Sequence, residues 1–229
     1  TELAVALKAP KSSLFPIVHT LEQRKYIMCD AGSGKYRLGL RTYIIGASCT
    51  SQSGFEPLIN IMNSVTESTQ ETSQFGILEG GNVLYVAKKD SPQAIRMISW
   101  VGTKLPANAT AIGKALLSDL TDEQIRDLYR DGLPKLTEHT ISDMDLLLGQ
   151  IEQIRCGEIA TETEESTPQM RCFAVPIRQN GRVDAALSIS VPIFRYTDEK
   201  RVQICQCLRE AQRQIEQLVG LYNFELIKP

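Results

Sequence analysis

The sequence predicts an α+β protein whose larger part is an antiparallel β-sheet covered by helices. Short apolar runs flank two compact turns, Glu79-Gly80-Gly81 and Asn180-Gly181, and this arrangement is typical of β-hairpins. Segments with apolar residues three and four positions apart lie between and after the hairpins, which indicates amphipathic helices. Hairpins at both ends of this part, with helices between and after them, favour a single sheet packed against helices.

Length and composition limit the classes to which the chain can belong. With 229 residues, 42% hydrophobic and 23% charged, it is long enough for a small and a medium domain and too apolar for wholesale disorder. No apolar run is long enough to cross a bilayer, and the first residues lack the pattern of a signal peptide. Six cysteines without framework spacing favour a reduced, cytoplasmic setting, and two isolated histidines argue against a metal site. We expect no cofactor.

Charge is unevenly distributed along the chain. Residues 1–46 carry seven lysines and arginines against three acids, a net charge of +4. The remaining residues carry 18 basic and 24 acidic side chains, a net charge of −6. A basic head on an acidic body indicates that the head binds a polyanion; ordinary scatter of surface charge is the alternative explanation.

The basic head is predicted to begin with two short helices. Glu2–Leu7 forms the first, and Pro10 suits the opening of the second, because a first-turn proline sacrifices no hydrogen bond. The second helix has one apolar stripe and an opposite face with small polar groups at its start. Two such helices joined by a tight turn form a helix-turn-helix, whose second helix enters the DNA major groove. The apolar stripe is Leu14, Ile17, Val18 and Leu21, and the opposite face is Ser12, Pro16, His19 and Gln23.

A hairpin follows the two helices. The glycine-rich turn Asp30–Gly34 joins two predicted strands, Tyr26–Cys29 and Lys35–Leu38. Its basic side chains suit the phosphates of double-stranded DNA, so residues 1–38 are predicted to form a winged helix-turn-helix domain. A helical pair and hairpin packed on the main domain, without nucleic acid, is the alternative. The predicted phosphate contacts are Lys11, Lys25, Lys35 and Arg37, and the predicted base readout lies near Ser12, Ser13 and His19.

The head resembles the winged-helix domain of IclR-type transcriptional regulators. The resemblance lies in Ala9–Leu14 and Leu21–Ile27, and Gly34–Gly39 is similar to the end of that domain's wing. It implies that the chain begins inside the second helix of the family's domain. The head departs from the family at Pro16, which cannot donate to the preceding turn and is expected to kink the recognition helix.

Residues 39–53 are predicted to form a linker helix. Leu40–Cys49 is mostly apolar, and Ser51–Gly54 is expected to break it before a longer helix at Phe55–Thr69. An exposed apolar connector is unfavourable in water, so we expect it to pack against a second copy in a homodimer or homotetramer. Burial against its own body is the alternative.

The body, residues 54–229, is predicted to alternate hairpins with capped helices. Its predicted strands are Thr72–Leu78, Asn82–Lys88, Arg96–Ser99, Met170–Arg178 and Arg182–Val191. Its helices are predicted to begin at Phe55, at Asn108 or Thr110, at a Thr121/Gln124 capping box, after Ser142 and after Thr197.

The body also resembles the IclR family. The resemblance lies in five segments that follow one another in the family's order: Leu105–Leu117, Glu162–Glu165, Arg171-Cys172, Ala174–Ile177 and Ala185–Pro192. The resemblance implies a GAF-like or profilin-like effector-binding domain on a regulator that is usually a dimer or tetramer. It implies effector contacts at Ala111, Ile112, Glu162, Cys172, Ser188 and Ser190.

The residue types at these positions suit a small organic acid. The start of the helix near Thr110 offers amide N–H groups and a positive dipole end. Ser188 and Ser190 are two apart on one strand, so both hydroxyls point to one face and can donate to a carboxylate. An ionised Glu162 would repel a carboxylate, so it accepts from ligand hydroxyls or is protonated, which favours a hydroxylated acid such as a sugar acid over a bare keto acid.

The interpretation that these features favour is a ligand-responsive repressor, and two other classes remain open. One is an enzyme with Cys172 as nucleophile, for which His139 is the distant candidate base. The other is a sensor module without DNA binding. The polar site residues also have structural explanations: a solvated strand face for Ser188 and Ser190, and a core thiol for Cys172. Glu162, Glu164 and Glu165 could mimic the paired carboxylates of an enzyme, but on an acidic loop they are more simply solvated charge.

Overall fold

The computed structural model describes residues 2–52 and 55–222. The chain divides into two compact units, Thr1–Glu56 and Pro57–Pro229. Within the described residues, no helix combines the length and hydropathy that a membrane span requires.

The N-terminal unit has the predicted order of two helices, a hairpin and a further helix. The two strands pair antiparallel, with Ile27 opposite Leu38 and Cys29 opposite Tyr36. Asp30 shapes the turn between them, because its Oδ1 accepts from the Ser33 amide and from Ser33 Oγ, both at 2.7 Å. The elements are α1 (Glu2–Ala6), α2 (Lys11–Gln23), β1 (Ile27–Cys29), β2 (Tyr36–Leu38) and α3 (Leu40–Gln52).

The apolar stripe of α2 needs a correction, whereas the kink expected at Pro16 stays a prediction. The helix continues through Pro16 to Gln23, and Thr20 Oγ1 donates to the Pro16 carbonyl at 2.8 Å. Its apolar stripe is only partly covered: Leu14 and Val18 are half-buried, whereas Ile17 remains 56% exposed. The short α1 and the hairpin are too small to bury the whole stripe.

The linker helix is longer than predicted. α3 runs to Gln52, so the break expected from Ser51 onward is wrong for residues 51 and 52, and residues 53 and 54 lie outside the described ranges. The apolar side chains of its first turns face solvent in the single chain, with Leu40 67%, Tyr43 74% and Ile45 54% exposed.

The C-terminal unit is built on one six-stranded antiparallel sheet with strand order β5-β4-β3-β8-β7-β6. Two long hairpins, β3-β4 and β7-β8, form its centre and are joined through β3 and β8. The strands are β3 (Thr72–Glu79), β4 (Asn82–Lys89), β5 (Lys104–Pro106), β6 (Ala160–Thr163), β7 (Met170–Gln179) and β8 (Arg182–Pro192).

Helices cover both faces of the sheet. One face packs against α4 (Phe55–Thr69) and α8 (Asp198–Tyr222), which bury an apolar layer that includes Phe75, Phe173 and Ile189. The other face packs against α5 (Ala111–Leu117), with α6 (Asp122–Leu128) and α7 (Met144–Arg155) outside it. This second face carries the predicted effector residues.

Two predictions about the body's elements are wrong, and one strand was missed. Arg96–Ser99 is not a strand; the edge strand β5 lies later, at Lys104–Pro106, and Ser99 instead bonds to side chains of neighbouring strands. The strand β6 was not predicted, because four residues are too few for a visible alternation. Asp143, not Ser142, caps α7.

Candidate functional site

The strand register places three of the predicted effector residues side by side. Glu162 lies opposite Cys172 on the neighbouring strand, and Cys172 lies opposite Ser190. Directly opposed residues point to the same face of a sheet, so the three side chains share the face that α5 covers. Ser188 lies on the same face two residues away, opposite Gln74 of β3.

Five polar side chains lie together on this face of the sheet, and we call them the polar row: Glu162, Cys172, Ser190, Ser188 and Gln74. Cys172 Sγ donates to Ser190 Oγ at 3.3 Å, and Ser190 Oγ donates to Gln74 Oε1 at 3.0 Å. Ser188 Oγ reaches the Gln74 carbonyl at 3.5 Å. All five side chains are buried, so the strand face is not solvated.

Gln74 was missed by the sequence analysis. It is 2% exposed, and its Nε2 donates to Ser99 Oγ at 2.7 Å, which extends the polar row toward the segment between β4 and β5. An amide inside an otherwise apolar strand is the signal that could have revealed it. Its distance in sequence from Ser188 and Ser190 concealed the contact, which depends on the pairing of β3 with β8.

Glu162 is a buried acid held by the turn that follows β6. Only 2% of it is exposed, and its two oxygens accept from the Glu165 amide at 2.8 Å and from Ser166 Oγ at 3.1 Å. Burial raises the pKa of Glu162, and hydrogen bonds from the Glu165 amide and Ser166 oppose part of this rise. The alternative of solvated charge on an acidic loop is therefore wrong for Glu162 and for Glu165, which is 5% exposed.

The environment of Cys172 keeps its thiol protonated. Burial, followed by the negative charge of Glu162, raises the pKa of Cys172 well above its ordinary range. The only basic group proposed for it, His139, is exposed and lies 3.8 Å from Glu164 through Nε2. A protonated, buried thiol bonded to Ser190 has no means of acting as the nucleophile of the alternative enzyme.

The first turn of α5 closes the site from above the sheet. Ala111 and Ile112 are 1% and 2% exposed and belong to the same buried cluster as Cys172. Thr110 caps the helix by accepting from the Gly113 amide at 3.0 Å, so this amide is already paired. Gly113 is required here, because a Cβ at this position would lie 2.2 Å from the Ala107 carbonyl oxygen. The six predicted effector residues are thus brought together.

The seven predicted DNA contacts all lie on the surface of the N-terminal unit. Ser12 and Ser13 occupy the first turn of α2, and His19 lies two turns later, where it stacks on Phe15 with ring centroids 6.0 Å apart. Phe15 is 72% exposed and was not predicted to belong to this surface. The predicted phosphate contacts are all exposed: Lys11 on α2, Lys25 before β1, and Lys35 and Arg37 on the second half of the hairpin.

Comparison with known proteins identifies the family. Residues 55–217 match the family model described as "Bacterial transcriptional regulator IclR C-terminal". The chain belongs to the IclR family. The transcriptional regulator KdgR of Dickeya chrysanthemi is 30% identical over 227 residues, covering 98% of this chain and 74% of that protein. The repressor AllR of Escherichia coli K12 is 27% identical, covering 96% of this chain and 83% of that protein.

The fold of the IclR-family chain also matches solved structures. The crystal structure of an IclR transcriptional regulator from Alicyclobacillus acidocaldarius aligns with a TM-score of 0.87 at 22% identity, covering 96% of this chain and 89% of that one. The similarity includes both units of the chain. The relatives are HTH-type transcriptional regulators and the matching family model is that of a transcriptional regulator, so the chain is a transcriptional regulator and not an enzyme.

Proposed function

We propose that this IclR-family regulator is a repressor whose effector is a small hydroxylated carboxylic acid bound at the polar row. The observation that carries the proposal is the burial of Glu162, Cys172, Ser190 and Gln74 on one sheet face beneath α5. Burying polar groups is unfavourable unless they are paired, and ligand sites place a few polar groups within a mostly apolar lining to orient the ligand. Repression is supported by AllR, a repressor 27% identical to this chain.

The chemistry of the row suits an acid with hydroxyl groups. Ser188 and Ser190 can turn their hydroxyls from Gln74 to a ligand carboxylate, since hydroxyl rotors follow the available acceptor. Glu162 then accepts from ligand hydroxyls when ionised, or donates when protonated. A bare apolar acid would leave Glu162 without a partner on the ligand, which disfavours its binding.

The N-terminal unit is proposed to bind an operator as a homodimer. Its exposed cations, Lys11, Lys25, Lys35 and Arg37, contact phosphates, and Ser12, Ser13 and His19 read base edges. The exposed apolar face of α3, with Leu40, Tyr43 and Ile45, packs against a second copy. Two heads related by a two-fold axis require a palindromic operator with half-sites about one helical turn apart. Pairing of two dimers would give a homotetramer.

The acid specificity is tested by thermal shift and calorimetry with gluconate, lactate, pyruvate and hexanoate. We expect gluconate to stabilise the protein most and hexanoate not at all. The double variant Ser188→Ala/Ser190→Ala should lose the stabilisation, whereas Ser64→Ala, at an exposed position on α4, should keep it. Equal stabilisation of the double variant, or no response of the wild type to any hydroxylated acid, would show that the polar row does not bind such effectors.

A further inference from the structure

A buried ion pair lies beside the polar row. Lys114 Nζ is 2.5 Å from Glu165 Oε1, and the two side chains are 0% and 7% exposed. Such a pair adds little net stability, because the loss of hydration of two charges offsets their attraction. The role of the ion pair therefore depends on which structural elements it holds together.

The ion pair connects three segments around Glu162. Lys114 belongs to α5 and also donates to the Thr161 carbonyl of β6 at 3.5 Å. Glu165 lies in the turn after β6, and its second oxygen accepts from the Ile141 amide at 3.4 Å. The covering helix, the edge of the sheet and the segment before α7 are thus linked at one point.

The turn held by Lys114 is the one that orients Glu162. The Glu165 amide donates to Glu162 Oε2 at 2.8 Å. The Glu165 carbonyl accepts from Thr140 Oγ1 at 2.6 Å and from Thr137 Oγ1 at 3.3 Å. Side chain, amide and carbonyl of Glu165 are therefore all engaged, which fixes its amide in the position where it meets the Glu162 carboxyl group.

We propose that Lys114 and Glu165 are positioning residues that hold Glu162 in its effector-binding orientation. Through Glu165 they place an amide against one oxygen of Glu162. Through Lys114 they hold the same turn at a fixed separation from α5, which carries Ala111 and Ile112. The proposal rests on the effector-binding function proposed for Glu162, so its test includes measurements that need no effector.

The first measurement is amide hydrogen exchange in the full chain. In Lys114→Met the turn loses its anchor, and we expect the amide of residue 165 to exchange at least about tenfold faster. The double variant Lys114→Met/Glu165→Gln leaves no unpaired buried charge, folds more readily and should show the same acceleration. Lys104→Met removes an exposed ion pair to Glu79 in the same domain and is the control without effect. Unchanged exchange at residue 165 in the two Lys114 variants overturns the proposal.

The second measurement is the titration of Glu162, followed by carboxyl ¹³C NMR and assigned with Glu162→Gln. The groups facing Glu162 are Cys172 on β7, Tyr85 on β4, and Glu165 and Ser166 in the turn. The Glu165 amide lowers the pKa of Glu162 and the Glu165 charge raises it. Lys114→Met weakens the hydrogen bond from the Glu165 amide and removes the positive charge that compensates the Glu165 carboxylate. Both changes raise the pKa of Glu162, so its titration midpoint should move to higher pH. A midpoint unchanged from wild type would count against the positioning role.

The third measurement is gluconate affinity by calorimetry. The double variant should bind gluconate at least about tenfold more weakly than wild type, with Lys104→Met unaffected. Wild-type affinity in the double variant overturns the proposal. If wild type binds no acid of the panel, the proposed effector function fails, and exchange and titration decide the positioning role by themselves.

Discussion

Glu162, the acid proposed to contact the effector, lowers the stability of the fold when it is ionised. Its pKa lies above the ordinary value of 4.5 because burial disfavours the charged form. A carboxyl group whose folded-state pKa is raised stabilises the fold below its unfolded pKa. That contribution is lost as pH rises through the folded-state value. The regulator therefore keeps an acid that opposes folding at neutral and alkaline pH, which is understandable if Glu162 serves a ligand.

The variant Glu162→Gln tests this assignment. Glutamine can still accept from the Glu165 amide and from Ser166 but carries no charge. We expect the melting temperature of the variant, relative to that of wild type, to be higher at about pH 8 than at about pH 4.5. The reason is that only wild type has a buried carboxyl group that ionises as the pH rises. Calorimetric melts at both pH values provide the measurement. A difference between variant and wild type that does not change with pH would contradict the raised pKa.

Single residues of the site were predictable only in part. Ser188 and Ser190 were placed on one strand face from their spacing alone, and the register confirms this. That Glu162 and Gln74 would meet them could not be derived, because the contacts depend on the order of β6, β7, β8 and β3. Spacing is local information, whereas strand order is set by the packing of the whole sheet.

Elements marked by a short sequence motif, such as a hairpin turn or a helix cap, were predicted well. The turns at Gly80-Gly81 and Asn180-Gly181 have left-handed residues at both positions, as tight hairpin turns require. The Thr121/Gln124 capping box is present in both of its hydrogen bonds. The errors lie at the edge strands β5 and β6, which have three and four residues and exist only because a longer neighbour pairs with them.

The cap of α5 gives a test at the level of the element. Thr110→Ala should cost about 1 kcal/mol of stability, because the Gly113 amide loses its partner. Since the same turn carries Ala111 and Ile112, gluconate affinity should also fall. Thr121→Ala removes the cap of α6 at a similar cost and is the matched control, with gluconate affinity retained. Urea unfolding and calorimetry measure the two quantities. A parallel loss of affinity in both variants would show that the cap of α5 has no particular role in binding.

At the scale of the whole molecule, the chain is proposed to combine a basic unit that binds DNA with an acidic unit that binds a ligand. The charge asymmetry, the hairpin and the family resemblance predicted this organisation from sequence. Effector and operator are proposed to be coupled, so that each alters the affinity for the other by the same factor. Coupling of this kind lies between about fivefold and 150-fold in regulators of known energetics.

The measurement that tests the account most directly is operator affinity with and without effector. A duplex selected by the protein from a random pool would be titrated by fluorescence anisotropy at fixed salt, without and with saturating gluconate. We expect gluconate to weaken binding by about tenfold or more in wild type. Ser188→Ala/Ser190→Ala should bind the duplex with wild-type affinity and ignore gluconate. Operator affinity that is independent of gluconate in wild type, or an equal response in the double variant, would contradict the account.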